Sequence, residues 1–295
     1  MSGTVFHWRG RGLSLSGERW EAASPRGLVV LMHGGGQTRH SWSVTARRLA
    51  DRGWETLALD LRGHGDSDWD PAGDYSLGAF SDDLVALLKA EDQPAVLVGA
   101  SLGGMVALTT AAAEPERVRG VVLVDVVVKV EMAGVRRIRD FMTSAPDGFA
   151  SLEEAADAVA RYNPNRERPP SPAGLAKNLR RRENGRWYWH WDPTFMQAND
   201  DEPQRKVDLG ALRAAAAAVT APALIVRGAR SDVVSERGMR DMLELMPGAA
   251  TVDVPAAGHM VAGDDNDVFT VALEGFLSQL APLRTGTFPA ARTAR

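Results

Sequence analysis

Apolar residues along this chain fall first into short unbroken runs rich in β-branched side chains: Gly27 to Met32, Trp54 to Leu59, Ala95 to Val98, Val118 to Val124, Ala223 to Val226 and Ala250 to Val254. Each run is long enough to cross a sheet once, and a run apolar on both faces predicts a strand covered on both sides. Between most of them the apolar positions change to helical spacing, over Trp42 to Arg52, Leu77 to Ala90, Leu102 to Ala113 and Glu236 to Leu245. Alternating strands and helices predict an α/β fold, a mostly parallel sheet with helices on both faces. The leading segment, Thr4 to Ala22, alternates polar and apolar residues around Gly-containing turns and predicts an antiparallel edge.

One interval breaks the pattern. From about Val127 to Arg205 no clean buried-strand run occurs. Instead there are Arg clusters at 136–139 and 180–182, the Pro-rich NPNRERPPSP, and the aromatic run Trp187, Tyr188, Trp189, His190 and Trp191. The sheet pattern resumes at Ala223, so the interval reads as an insertion into one domain rather than a boundary between two. The expected division is a discontinuous core over 1–126 and 206–283, a helical cap or lid over 127–205, and a mobile tail over 284–295.

Composition narrows the chemistry. At 295 residues the chain can bury roughly three-quarters of the surface its unfolded form exposes, so its folding needs no disulfide or metal staple. The 34 basic and 38 acidic residues leave a net charge of −4, which argues against nucleic acid as a partner. The absence of cysteine excludes disulfides, thiolate metal sites and a cysteine nucleophile. No 18-residue apolar run occurs and MSGTVFHWRGRG has no leader-like apolar stretch, so a soluble cytoplasmic protein without a membrane partner is expected.

After Ala95 to Val98 the chain reads Gly99-Ala100-Ser101-Leu102-Gly103-Gly104 and runs straight into a helical pattern. A Gly-x-Ser-x-Gly string between strand and helix predicts a sharp turn that presents the serine hydroxyl at the carboxyl edge of the sheet. The helix starting there aims unpaired N–H groups at the same place. His33-Gly34-Gly35-Gly36-Gln37, ending another strand run, supplies small residues whose amides can approach an anionic oxygen.

A serine hydroxyl needs a base. Of the six histidines, His7, His33, His40, His64 and His190 take structural or surface readings, whereas His259 lies on the loop after the last strand, where open α/β sheets place ligand-contacting residues. A carboxylate must orient that base. Asp232, in RGARSD beyond Ala223 to Val226, is the preferred acid; Asp125, ending the run Val121 to Val124, is the alternative, with a cap or turn as its plain role. Asp264, Asp265 and Asp267 are expected to cap the final helix, which would begin near Asp265.

These motifs resemble the α/β-hydrolase superfamily: HGGGQ at 33–37, DLRGHGDS at 60–67, GASLGG at 99–104, RGARSD at 227–232 and GH at 258–259, in the family order nucleophile, acid, histidine. The resemblance implies a lid inserted after the sixth strand and an oxyanion hole of the Gly35 and Leu102 amides. It makes Asp60 and Arg62 structural ties between loops, and serine at the nucleophile position disfavours dehalogenase and epoxide-hydrolase chemistry. A cofactor-free, metal-free serine hydrolase of a small ester or lactone is therefore expected, with Gly34, Trp187 and Trp189 as candidate substrate contacts. Packing of the lid onto the core is the competing account of the tryptophans; for the Arg clusters at 136–139 and 180–182 a solvated helix face is the preferred account and binding of a substrate carboxylate the alternative. Two alternatives share these residues: cleavage of carbon–carbon bonds or perhydrolysis, and a non-catalytic ligand-binding protein of the same fold.

Overall fold

The computed structural model describes residues 3–163, 171–196, 208–255, 257–259 and 267–280. Strands β1 (Thr4–Arg9), β2 (Ser14–Trp20), β3 (Leu28–Met32), β4 (Glu55–Asp60), β5 (Ala95–Ala100) and β6 (Val118–Val124) alternate, from β3 onward, with helices α1 (Ser43–Asp51), α2 (Leu77–Ala90) and α3 (Leu102–Ala113). After β6 come α4 (Met132–Thr143), α5 (Leu152–Tyr162), β7 (Leu179–Arg181) and β8 (Trp187–Trp189). Helix α6 (Leu209–Ala218), β9 (Ala223–Gly228), α7 (Glu236–Leu245), β10 (Ala250–Val254) and α8 (Asp267–Gln279) complete the described elements.

Eight strands form one sheet in the order β1-β2-β4-β3-β5-β6-β9-β10. The β1–β2 and β2–β4 pairs are antiparallel and the rest parallel, so the leading segment supplies the antiparallel edge as the alternation predicts. The period of two along each strand divides the core. Leu28, Val30 and Met32 of β3 pack with Leu84 and Leu87 of α2, Val106 of α3 and Leu212 of α6 on one face. Val29 and Leu31 pack with Trp42, with Ala46 and Leu49 of α1, and with Phe269 and Leu273 of α8 on the other. Burying each such side chain completely stabilises the fold by about 1.5–3 kcal/mol before the entropy cost is counted. The five β3 residues are wholly buried, and a strand sealed this way holds its carboxyl end, where the glycine loop starts, in one place.

The interval after β6 carries its own small core, formed by Met142, Phe149, Ala155, Ala158, Leu179, Trp189 and Trp191. The sequence offers no strand run here, yet β7 and β8 pair as an antiparallel ribbon, extended by a Phe149–Trp187 bridge. Alternation explains it: Trp189 turns inward and is 8 % exposed, while Tyr188 faces outward beneath the Arg182 guanidinium, 3.9 Å from its ring centre. Polar ties fasten this layer to the core. Arg180 donates to the Gly65 carbonyl at 2.9 Å and pairs with Asp66 at 2.6 Å, Tyr75 donates to Asp192 at 2.5 Å, and Thr38 donates to Asn178 at 3.2 Å.

The tail at 284–295, the caps expected from Asp264 and Asp265, and most of NPNRERPPSP lie outside the described residues; Asp267 opens α8. No helix among the described residues is long and apolar enough to cross a membrane.

Candidate active site

The last residue of β5 leads directly into the first turn of α3, and Ser101 between them adopts φ 47°, ψ −113°. A side chain with positive φ is strained, and such strain survives only where the surroundings over-determine it. Here the Ser101 amide donates to Val124 at the end of β6, and the Gly103 amide donates to the His33 carbonyl. The turn tolerates no larger residue at Gly103, because a Cβ there would stand 2.4 Å from the Met32 carbonyl oxygen. The elbow is thus wedged between β3 and β6, with the hydroxyl at the carboxyl edge.

His259 reaches this hydroxyl from the loop after β10, with Nε2 at 3.2 Å from Ser101 Oγ. Its other ring nitrogen, Nδ1, lies 2.6 Å from Asp125 Oδ2. A carboxylate only accepts, so Nδ1 carries the proton and Nε2 presents its lone pair to the serine. Asp125 is 2 % exposed and is itself in the positive-φ region, at 53°. Its Oδ1 accepts from the Gly228 amide at 3.0 Å, and its Oδ2 also accepts from the Ser231 hydroxyl at 2.6 Å.

The preference for Asp232 as the partner of His259 is therefore corrected to Asp125. Strand β6 is the immediate neighbour of β5, whereas β9 lies one strand further away, about 5 Å, and Asp232 lies four residues past its end. Asp232 instead pairs with Arg137 of α4 at 3.1 Å. The RGARSD loop still serves the site, as a cradle rather than as the acid. Ala229 and Arg230 donate to the carbonyls of Val254 and Ala257, and the His259 loop lies so close that a Cβ at Gly228 would stand 2.2 Å from the Gly258 carbonyl oxygen.

On the other side of Ser101 the glycine loop comes within contact: a Cβ at Gly34 would lie 3.3 Å from Ser101 Cβ. The Gly34 amide donates to Gln37 Oε1 at 3.0 Å and the Gly36 amide to His64 Nε2 at 3.1 Å. Among the described residues the amides of Gly35 and Leu102 have no protein acceptor, which leaves the two expected oxyanion donors available. Phe195, Met142 and Trp191 roof the loop, with Phe195 against Gly35 and the other two against Gly36.

Trp187 and Trp189, expected as substrate contacts, pack within the layer that follows β6. Trp189 stacks on Trp191 with ring centres 4.8 Å apart and meets Phe149 edge-on, and Trp187 lies beneath Arg181. Trp189 belongs to this layer's small core, and Trp187, half-buried, packs against it. The Arg clusters are likewise not simply solvated faces, since Arg137 and Arg180 hold the layer to the core. Asp60 and Arg62 do tie loops: Asp60 pairs with Arg39 and accepts from the Asp66 amide, and Arg62 is clamped by Asp83 and Asp70.

Sequence reasoning missed that three histidines brace the glycine loop. His33 Nδ1 donates to the Gly34 carbonyl while its Nε2 accepts from the Leu61 amide. His64 Nδ1 donates to the Arg62 carbonyl, and His190 Nδ1 accepts from the Gly65 amide at 2.7 Å. Burial holds all three neutral: it pushes His33 down to about 4, His64 to about 3 with the neighbouring His33 adding to the shift, and His190 well below the ordinary histidine range. The only signal in the sequence is the pair of His-Gly dipeptides at 33–34 and 64–65. Among the described residues no cluster of His, Asp and Glu could hold a metal ion.

Comparison with known proteins bears on the fold and the family. The chain is 30% identical over 274 residues to the esterase Rv0045c of Mycobacterium tuberculosis, covering 90% of this chain and 86% of that protein. It is 30% identical over 254 residues to the 2-(acetamidomethylene)succinate hydrolase of Mesorhizobium japonicum, covering 85% and 87%. A crystal structure of E-2-(acetamidomethylene)succinate hydrolase superposes with a TM-score of 0.82 at 25% identity over 94% of this chain and 99% of that one. The model of the alpha/beta hydrolase fold family matches residues 27–265, a span that holds the serine elbow, the glycine loop and both partners of the histidine relay, and the chain belongs to that family.

Proposed function

We propose that the protein hydrolyses carboxylic esters or lactones through an acyl-enzyme on Ser101, with His259 as base and acid and Asp125 orienting it. The observation that carries this reading is the continuous relay from Ser101 Oγ through His259 to Asp125, set beside two backbone donors that have no acceptor among the described residues. Ser101 Oγ attacks the carbonyl carbon as its proton passes to His259 Nε2, and the carbonyl electrons move onto oxygen. The Gly35 and Leu102 amides hold that oxyanion. When the tetrahedral species collapses, the bond to the leaving oxygen breaks and His259 Nε2 gives it the proton. Water, deprotonated by the same nitrogen, then attacks the acyl carbon; Ser101 takes the proton back and the carboxylic acid leaves. Two placed donors in a dry site are worth several kcal/mol of barrier, at about 2.7–4 kcal/mol each.

The surroundings favour a neutral, apolar acyl group. The groups against the glycine loop are Phe195, Met142 and Trp191. Three of the arginines near it are engaged, Arg39 with Asp60 and Asp66, Arg62 with Asp70 and Asp83, Arg137 with Asp232. A succinate-like substrate, the kind named for one relative, would need a cation at the acyl wall, where Phe195, Met142 and Trp191 stand instead. Residues 127–205 act as the cap that supplies the acyl wall, with the core on either side of them. A cleft of this layer, about 520 Å³ between Arg137, Phe141, Phe149 and Tyr162, includes none of Ser101, His259 or Gly35 in its lining. Wild-type protein and Ser101→Ala compared on p-nitrophenyl esters of increasing acyl length test the reading. Turnover that disappears in the variant supports it, and equal rates in both overturn it.

A further inference from the structure

An oxyanion donor works only if its N–H is already aimed when charge develops, so the residues that fix the Gly35 peptide matter as much as the peptide itself. Gly35 carries no side chain to anchor it, and its flanking peptides are anchored from outside. The Gly36 amide donates to His64 Nε2, whose opposite nitrogen is tied to the Arg62 carbonyl. The residue after His64 is then fixed from the inserted layer, because the Gly65 amide donates to His190 Nδ1 at 2.7 Å. His190 is 1 % exposed, its ring centre lies 5.8 Å from that of His64, and Arg180 holds the carbonyl of the same Gly65. Phe195, from the same layer, meets the His64 ring edge-on at 4.8 Å and lies against Gly35.

The order of contacts is thus His190, Gly65 amide, His64, Gly36 amide, Gly35. Each imidazole accepts a backbone proton, which requires a lone pair on one named nitrogen: Nδ1 of His190 and Nε2 of His64. A ring of the same size without that lone pair fills the space but leaves an amide unpaired.

We propose that His190 and His64 are positioning residues, through which the inserted layer holds the Gly35 amide in its oxyanion-binding orientation. The proposal rests on the acyl-transfer reading for its kinetic consequence, but its structural consequence can be read without any substrate. The test is amide hydrogen exchange of Gly36, measured by NMR on the full chain, alongside kcat and KM for a p-nitrophenyl ester and inhibition by an aryl trifluoromethyl ketone, whose serine adduct carries an oxyanion. The variants are His190→Phe and His190→Asn, in which Asn restores an acceptor at the Nδ1 position, and His64→Asn and His64→Gln, in which Gln restores one at Nε2.

In His190→Phe and His64→Asn, Gly36 exchange should speed up by about tenfold or more while β5 amides stay protected. kcat should fall about tenfold or more at nearly constant KM, and ketone affinity should fall by the same factor. His190→Asn and His64→Gln should recover most of each loss. If His190→Phe does not fold, the His64 pair carries the same contrast. Unchanged Gly36 protection overturns the proposal whether or not the ester reading holds. So does a kcat loss without a matching loss of ketone affinity, or an Asn or Gln variant no better than its counterpart. Absence of wild-type ester turnover, with Gly36 exchange behaving as expected, counts against the acyl-transfer reading alone.

Discussion

The Ser231 hydroxyl donates to Asp125 Oδ2 at 2.6 Å, and that oxygen is the one that also accepts from His259 Nδ1. The serine in turn accepts from the Val233 and Val234 amides, so a turn of the β9–α7 loop is locked onto the carboxylate. Replacing it, Ser231→Ala, removes one of three donors from a buried acid. A hydrogen bond to a charged group is worth about 1.5–3 kcal/mol, so kcat should fall roughly ten- to a hundredfold with KM little changed. Steady-state kinetics on one ester check this, and a loss as large as that of Asp125→Asn would show that Ser231 does more than hold the acid.

Asp125→Asn and Asp232→Asn separate the two candidate acids. Asparagine at 125 presents the wrong group to His259 Nδ1, and the comparable change in serine proteases costs about 10⁴ in kcat. Asparagine at 232 weakens a partly exposed pair with Arg137, which should leave kcat within about threefold and cost at most ~1 kcal/mol of stability. Kinetics and urea melts of both variants distinguish the roles.

That contrast shows where sequence reading is strong and where it fails. The elbow at Ser101 is legible because only small residues fit at positions 99 and 103, a local steric demand written into the sequence. His259 is legible because it follows the last strand. The acid is not, because Asp125 and Asp232 both follow strands on the same edge, and only the lateral order β5-β6-β9 says which reaches the histidine. The His33, His64 and His190 braces depend on contacts between residues far apart in the chain, of which a single sequence carries only the His-Gly dipeptides, and the β7–β8 strands, three residues each, are too short to stand out as apolar runs.

Acid should destabilise the protein through those braces. His33 and His64 have folded pKa values of about 4 and about 3, below the ordinary 6.5, so the unfolded chain binds more protons in the window between. Their contribution is complete above pH 6.5 and is lost as pH falls toward 4 and 3, at up to about 1.4 kcal/mol per pH unit for each ring. Urea midpoints should drop from pH 7.5 to 5 and be flat from 7.5 to 8.5. A midpoint that rises on acidification would contradict the neutral assignment.

Gly103→Ala should prevent the elbow from closing, since its Cβ would collide with the Met32 backbone rather than with a movable side chain. The strain should cost at least about 2 kcal/mol and abolish turnover together. A thermal melt with an activity assay checks it, and a fully active, equally stable variant would show that α3 can shift away from β3.

The most direct test of the central claim is stoichiometric phosphorylation by paraoxon, followed by release of p-nitrophenolate and by peptide mass. The account predicts one equivalent released per protein chain and a diethylphosphoryl group on Ser101, formed far more slowly in Asp125→Asn and at nearly the normal rate in Asp232→Asn. Labelling at another residue, no labelling, or an Asp125→Asn variant that reacts as fast as wild type would contradict a relay running from Asp125 through His259 to Ser101.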